Sequence, residues 1–383
     1  MRLQLRRTAL LAALGLCVVA MEARGADQVT VRGAYYREPS TRVIQPVVDI
    51  QKDLPHGVDL DAHYLVDAIT SASAAAGTTK DSIFTEVRNE VALAVGKNWD
   101  RTRATLGYRY SAESDYWSHG LGGSLAGRFW GDTATVALSL GVSLDTMSSR
   151  DRPSPDCAVA PHTYCTLDSY FAGLSYTQVL SPVAVAQVDG EIAYLDGFQG
   201  NLYRQVPGLG YEKPPDQRLR NAVAGRFAYY FPSSSTGVQL HYRFYWDLFP
   251  GTAPTPTDPW LMRAHTIEAR VYQKLSRSLE VRLLYRQHLQ NRAQFWCDVT
   301  LNSSCYQPVA MSSPPTYSAD PKLGPIHTEY PEVKLVWDAD GLRAVPFLRW
   351  FSAATFEISY GYYMQNDSFR NAHVLQAGAT MPY

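Results

Sequence analysis

Along most of this chain apolar and polar residues take strict turns, in runs of roughly 10–14 residues where soluble strands average about 5–6. In Thr133–Thr146, Ala134, Val136, Leu138, Leu140, Val142 and Leu144 alternate with Thr135, Ala137, Ser139, Gly141, Ser143 and Asp145. Successive side chains on a strand point to opposite faces, so such a run has one oily wall and one polar wall. Val238–Asp247 repeats the arrangement, with Val238, Leu240, Tyr242, Phe244 and Trp246 opposed to Gln239, His241, Arg243, Tyr245 and Asp247. Thr85–Val95 sets Val87, Val91, Leu93 and Val95 against Glu86, Arg88 and Glu90. Thr102–Tyr110 sets Ala104, Leu106, Tyr108 and Tyr110 against Arg103 and Arg109, with Arg101 just ahead in the same phase. A water-soluble sandwich would keep its strands shorter and its turns more evenly spaced. A strand tilted across a bilayer needs this length.

The pattern predicts about sixteen strands: 29–38, 42–52, 57–71, 84–98, 101–111, 118–130, 133–146, 167–180, 183–195, 218–230, 236–247, 263–275, 279–290, 326–338, 354–366 and 370–383. If the first runs outward, the long joints 72–83, 147–166, 196–217, 248–262 and 291–325 all fall on the outer side. The tight joints at Trp99-Asp100, Gly131-Asp132, Ser181-Pro182, Phe231–Ser235 and Ser276–Ser278 all fall on the inner side. That asymmetry is how outer-membrane barrels are built. The stretch 339–353 departs from it, as either a long inner joint or a concealed strand. The expected fold is all-β, a closed antiparallel transmembrane β-barrel of the outer membrane with about 16 strands, give or take two. Closure satisfies every backbone group without leaving an edge, which lipid demands.

The two termini agree. The chain ends Gln376-Ala377-Gly378-Ala379-Thr380-Met381-Pro382-Tyr383, and Gln376, Gly378, Met381 and Tyr383 stand where an insertion signal read by the barrel assembly machinery would have them. At the start, Arg2, Arg6 and Arg7 precede an apolar run from Thr8 to Ala20, followed by Ala23, Gly25 and Ala26. This order reads as a cleavable secretory signal over residues 1–23, cut between 20 and 26, ahead of a single barrel domain over 27–383. The run is too short to span a bilayer, and no later segment reaches 18 consecutive apolar residues. Removal of residues 1–23 takes three Arg and Glu22 away, moving the formal charge from −1 to about −3, no footprint for nucleic acid. The expected location is the outer membrane of a Gram-negative bacterium, with outer-membrane lipid as a partner, and 25 Tyr fit rings at a membrane boundary.

Cys157/Cys165 and Cys297/Cys305 share one spacing within outer joints, which predicts two local disulfides, each stabilising by about 2–3 kcal/mol. Cys-x7-Cys lacks the close spacing of zinc ligands. The lumen side should carry Glu86, Arg88, Glu90, Arg101, Arg103, Arg109, Asp145, Asp189, Glu191, Arg218, Arg220, Arg226, His241, Arg243, Asp247, Glu268, Arg270, Glu280, Arg282, Arg286 and His288. Such mixed charges serve either as ion-pair ladders that hold a wide cylinder or as the lining of a polar pathway, the Arg cluster favouring anions. Asp59, Asp61 and Asp67 have no surrounding cation-binding loop and are not read as a calcium site. No metal or cofactor is expected. No Gly-x-Ser-x-Gly, His-Glu-x-x-His or glycine-rich phosphate loop is present, and His265 has no aligned lipid-facing Ser, so no catalytic residue is expected.

Several segments resemble a broad family of bacterial outer-membrane proteins catalogued as a domain of unknown function. They are Asp67-Ala68-Ile69-Thr70-Ser71-Ala72-Ser73, Tyr110-Ser111-Ala112-Glu113-Ser114-Asp115-Tyr116, Leu202-Tyr203-Arg204-Gln205-Val206 and Tyr242-Arg243-Phe244-Tyr245-Trp246-Asp247, then Ala264-His265-Thr266-Ile267-Glu268 and Tyr285-Arg286-Gln287. The chain departs where the family has Gly-Ala-Ser after Asp-Ala-Ile, and in the insert 248–262 and the Cys-bearing joints. The resemblance implies an outer-membrane barrel and supplies no catalytic residues. Chains of this type are also similar to the barrel partners of polysaccharide-export machines, in which a periplasmic export protein docks beneath a separate barrel. The expected function is therefore a polar conduit exporting a secreted polysaccharide with such a partner. The alternatives are a passive porin for small polar or anionic solutes and a structural or surface-interaction barrel with a blocked lumen.

Overall fold

The computed structural model describes residues 27–71, 84–149, 155, 157–158, 163–248, 258–298, 316–366 and 370–383. The expected signal segment and Cys305 lie outside these residues. Strands β1 (Gln28–Arg37), β2 (Thr41–Leu54), β3 (Val58–Ser71), β4 (Phe84–Asn98), β5 (Thr102–Ala112), β6 (Tyr116–Phe129), β7 (Ala134–Met147), β8 (Cys165–Ser181) and β9 (Ala184–Gly197) follow one another round a wall. A small hairpin, β10 (Gln205–Val206) and β11 (Gly210–Tyr211), interrupts the series outside that wall's hydrogen bonding. The wall resumes with β12 (Gln217–Phe231), β13 (Thr236–Leu248), β14 (Arg263–Lys274), β15 (Leu279–Gln290), β16 (Ile326–Asp338), β17 (Thr355–Gln365) and β18 (Ala372–Pro382). β1 pairs antiparallel with β18, from Gln28 opposite Pro382 to Arg37 opposite His373, and closes a sixteen-strand barrel.

All sixteen expected strands are present, most ends within two residues of expectation. Alternation explains that accuracy, because a slip of one residue would turn every apolar side chain to the wrong face. Leu106, Leu138, Leu174, Ile267 and Ile358 are each roughly half exposed on the outward face. A monomeric soluble protein does not expose apolar area of that extent, whereas lipid covers it. Aromatic residues gather at both ends of the band. Trp99, Phe129, Trp130, Phe231 and Tyr383 are exposed near the short turns. Near the other end, the hydroxyls of Tyr108, Tyr242 and Tyr360 each lie 2.8 Å from Nδ1 of an outward-facing histidine, His119, His265 and His373 respectively.

The short turns share the inner rim. Between β2 and β3, Gly57 holds φ +70°, and a Cβ there would meet the Asn98 carbonyl at 2.9 Å, so both conformation and space require glycine. The stretch 339–353 is the long inner joint rather than a concealed strand: it forms two 3-10 turns, Ala339–Ala344 and Arg349–Phe351, with Phe347 and Trp350 exposed.

The outer joints fold onto the inward face of the wall. Inward-facing Tyr116, Met147, Cys165, Leu167, Ala193 and Leu195 are buried with Leu202 from the joint after β9, and Phe198 and Tyr203 pack beside them. Trp260, Met262, Ala293, Phe295 and Leu323 form a second cluster, and Val206, Cys297, Tyr317 and Ala319 a third. Cys157 and Cys165 are disulfide-bonded with Cα atoms 5.4 Å apart, as the spacing predicts. Cys297 is buried in the third cluster, and its expected partner Cys305 lies outside the described residues.

Candidate functional site

The inner wall is built by the second half of each alternation. Of the residues expected to line it, Glu86, Arg88 and Glu90 lie on the inward side of β4, and Arg103 and Arg109 on that of β5. Asp145 projects from β7, Asp189 and Glu191 from β9, and Arg218, Arg220 and Arg226 from β12. His241, Arg243 and Asp247 share the inward side of β13, facing Glu268 and Arg270 on β14 and then Glu280, Arg282, Arg286 and His288 on β15. Arg101 differs. It precedes β5 in the tight turn at the inner rim, exposed and 3.8 Å from Asp132 of the next turn, because β5 begins one residue later than the pattern suggests.

These charges pair across strands. Asp59 on β3 receives both terminal nitrogens of Arg103 on β5, at 2.6 and 2.8 Å, reaching over β4. A side chain can bridge alternate strands this way on the concave face of a curved sheet, where the strands' side chains converge. Arg243 on β13 reaches Glu191 on β9 at 3.1 Å over β12. Arg88 meets Asp67 at 2.6 Å, Arg109 meets Glu90 at 3.1 Å, and Lys334 meets Glu357 at 3.2 Å. Arg270 and Arg282 pair along their own strands with Glu268 and Glu280. Asp145 accepts from Tyr116 and Ser143, and Asp189 from Gln187. Arg218 is wholly enclosed: it bonds Asp247 through Nε at 3.0 Å and through a second nitrogen, and stacks 4.0 Å from the Trp260 ring centroid.

Asp59, Asp67, Arg32, Asp49 and His63 also face the lumen, beyond the lining groups expected from the sequence. Arg32 contacts Asp49 at 2.5 Å, and Asp49 also takes His63 at 2.6 Å. The signal was available: Asp59, Asp61, His63 and Asp67 share one parity along β3, opposite outward-facing Leu60 and Tyr64. What alternation could not supply is the tie between the outer joints. Arg204, from the joint after β9, pairs with Asp320 at 2.9 Å and Glu212 at 3.5 Å, and Glu212 accepts from Ser318 at 2.6 Å. Burial pushes the Glu212 carboxyl above its ordinary range against the pull of Arg204. Burial also works against charge on Asp320, but Arg204 and Lys322 outweigh it and hold that carboxyl at about 2.

Among the described residues, one group of carboxylates converges closely enough to hold a cation: Glu86, Glu113 and Asp115, all buried, with oxygens within 4.8 Å of one another. Ser114 donates to Glu86 at 2.8 Å and Tyr203 to Asp115 at 2.6 Å, so neutral donors already meet part of that charge. His265, which the sequence leaves without an aligned lipid-facing Ser, is bonded to Tyr242, with the Phe244 ring tilted against it at 5.0 Å.

Taken together, these features define a sixteen-strand β-barrel resembling outer-membrane proteins, lipid-facing outside and charged within. The chain belongs to the family described as protein of unknown function DUF3570, which its residues 74–377 match. A comparison with curated protein sequences found no match. Among solved structures, the chain is similar to a bacterial polysaccharide outer membrane secretin, at 9% identity and a TM-score of 0.52, over 94% of this chain and all of that one. It is also similar to CdiB from Acinetobacter baumannii, at 7% identity and a TM-score of 0.50, over 94% of this chain and 61% of that one. At these identities the likeness concerns the fold.

Proposed function

We propose that the barrel is a polar conduit in the outer membrane of a Gram-negative bacterium, exporting a secreted polysaccharide delivered by a periplasmic export protein. The observation that carries this reading is the inner wall. Its charges are mostly paired into ladders, so the surface is polar yet offers few naked charges to which a hydrated polymer would stick. Pairing also keeps a wide cylinder round, and sixteen strands give a bore that side chains alone do not fill. A second reading, a passive porin for small polar or anionic solutes, is favoured by the outer joints. They pack onto inward-facing side chains and so take up room at the outer mouth. Deletion of the gene tests the choice. The export reading expects surface polysaccharide to fall several-fold with small-solute uptake unchanged. Normal polysaccharide with impaired uptake would overturn it in favour of the porin. Single-channel conductance in planar bilayers separates both from a barrel with a blocked lumen, which would pass no current.

A further inference from the structure

At the seam where the barrel closes, the outward face is a set of cross-strand rows spanning β2, β1 and β18. Three successive rows are apolar or small: Val48, Val31 and Ala379; then Pro46, Gly33 and Ala377; then Ile44, Tyr35 and Leu375. The next row outward is Arg42, Arg37 and His373, with Arg37 directly opposite both neighbours. All three are exposed. The row lies two residues beyond the last apolar row, about 7 Å along the strand, where hydrocarbon gives way to headgroups.

Two like charges directly opposite each other on a sheet destabilise it. Among the described residues neither arginine has an ion-pair partner. The adjacent carboxylate, Glu38, is buried and held by Tyr36 and Ser40. His373 is positioned: Tyr360 meets its Nδ1 at 2.8 Å and the Tyr362 ring packs 5.0 Å away, which leaves Nε2 as the ring's remaining polar atom. Two guanidiniums and an imidazole in one row at headgroup height call for an anion that arrives with the lipid. Phosphate suits them, since its oxygens accept several N–H donors at once and arginine binds it in a bidentate fashion.

We infer that the Arg42–Arg37–His373 row is a binding site for the phosphate of a phosphorylated lipid headgroup in the outer leaflet. The site holds one annular lipid across the β1–β18 closure and tethers the seam's three strands through a single anion. Native mass spectrometry of the purified barrel in neutral detergent tests it, with bisphosphorylated lipid A and its dephosphorylated counterpart as probes. The wild type should retain the phosphorylated lipid at least tenfold better than the dephosphorylated one. The double variant Arg37→Gln/Arg42→Gln should lose that preference, Arg37→Lys/Arg42→Lys should keep most of it, and Arg349→Gln at the inner rim should leave it unchanged. Equal retention of both lipids, or an unaltered preference in the double glutamine variant, would overturn the site. Displacement of the lipid by equimolar inorganic phosphate would also overturn it, by showing a site for the free ion instead.

Discussion

Arg218 and Asp247 show what the wall asks of a single residue. Their side chains are 5% and 0% exposed, so each charge depends on the other, on Tyr245 and on the Trp260 face. Removing one member of a buried pair strands the other, at a cost of about 3–5 kcal/mol. Arg218→Ala should lower barrel stability by that amount in urea unfolding followed by tryptophan fluorescence, and a loss below 1 kcal/mol would show that water already reaches Asp247. Arg218→Lys should recover part of the loss, because it keeps the charge but neither the two-nitrogen contact nor the planar stack. Gly361 makes a second demand. A Cβ there would clash with the phenol end of Tyr330, at its hydroxyl oxygen and the ring carbon that bears it, and that hydroxyl donates to Glu332 at 2.7 Å. Gly361→Ala must push that ring aside, and thermal unfolding should register a loss of about 1–3 kcal/mol.

Single elements differ in how readily their sequence announces them. β7 and β13 were legible residue by residue, because each apolar side chain that meets lipid stands beside a polar one that meets the lumen. Nearly all the expected lining residues follow from that same parity. The short hairpin β10–β11 and the 3-10 turns of 339–353 were not legible, because neither carries a repeating period. The meeting of Arg204, Glu212 and Asp320 was hidden for another reason: it joins residues more than a hundred apart, placed by barrel closure and not by local pattern. That tie carries a pH dependence. Glu212 holds its proton more firmly in the folded joint than in the unfolded chain, so its contribution to stability is complete below its unfolded value of 4.5 and fades as pH rises through its raised value. Asp320 acts oppositely, contributing above 3.8 and failing only as pH falls toward about 2. Protection factors for amide exchange in 198–217, corrected for the intrinsic rate at each pH, should therefore rise as the medium is taken from neutral toward pH 5. Glu212→Gln should flatten that response, and an unchanged response in the variant would place the titrating group elsewhere.

At the scale of the whole molecule, what matters is that the greasy face points out and the charged face points in all the way round. The closing strand shows this economically, since Leu375, Ala377, Ala379, Met381 and Tyr383 face outward while Gln376 and Gly378 face the lumen beside Arg32 and Glu357. The export reading, the porin reading and the phosphate row all rest on that sidedness. The most direct measurement of it is a nitroxide scan along β7 in lipid nanodiscs, from position 136 to position 145, reading collisions with oxygen dissolved in lipid and with a nickel chelate dissolved in water. Oxygen collisions should peak at 136, 138, 140, 142 and 144, and nickel collisions at 139 and 141, the inward positions that lie between buried Ala137 and Ser143. Labels at 139 and 141 that meet neither reagent, as in a dry packed centre, would contradict the account.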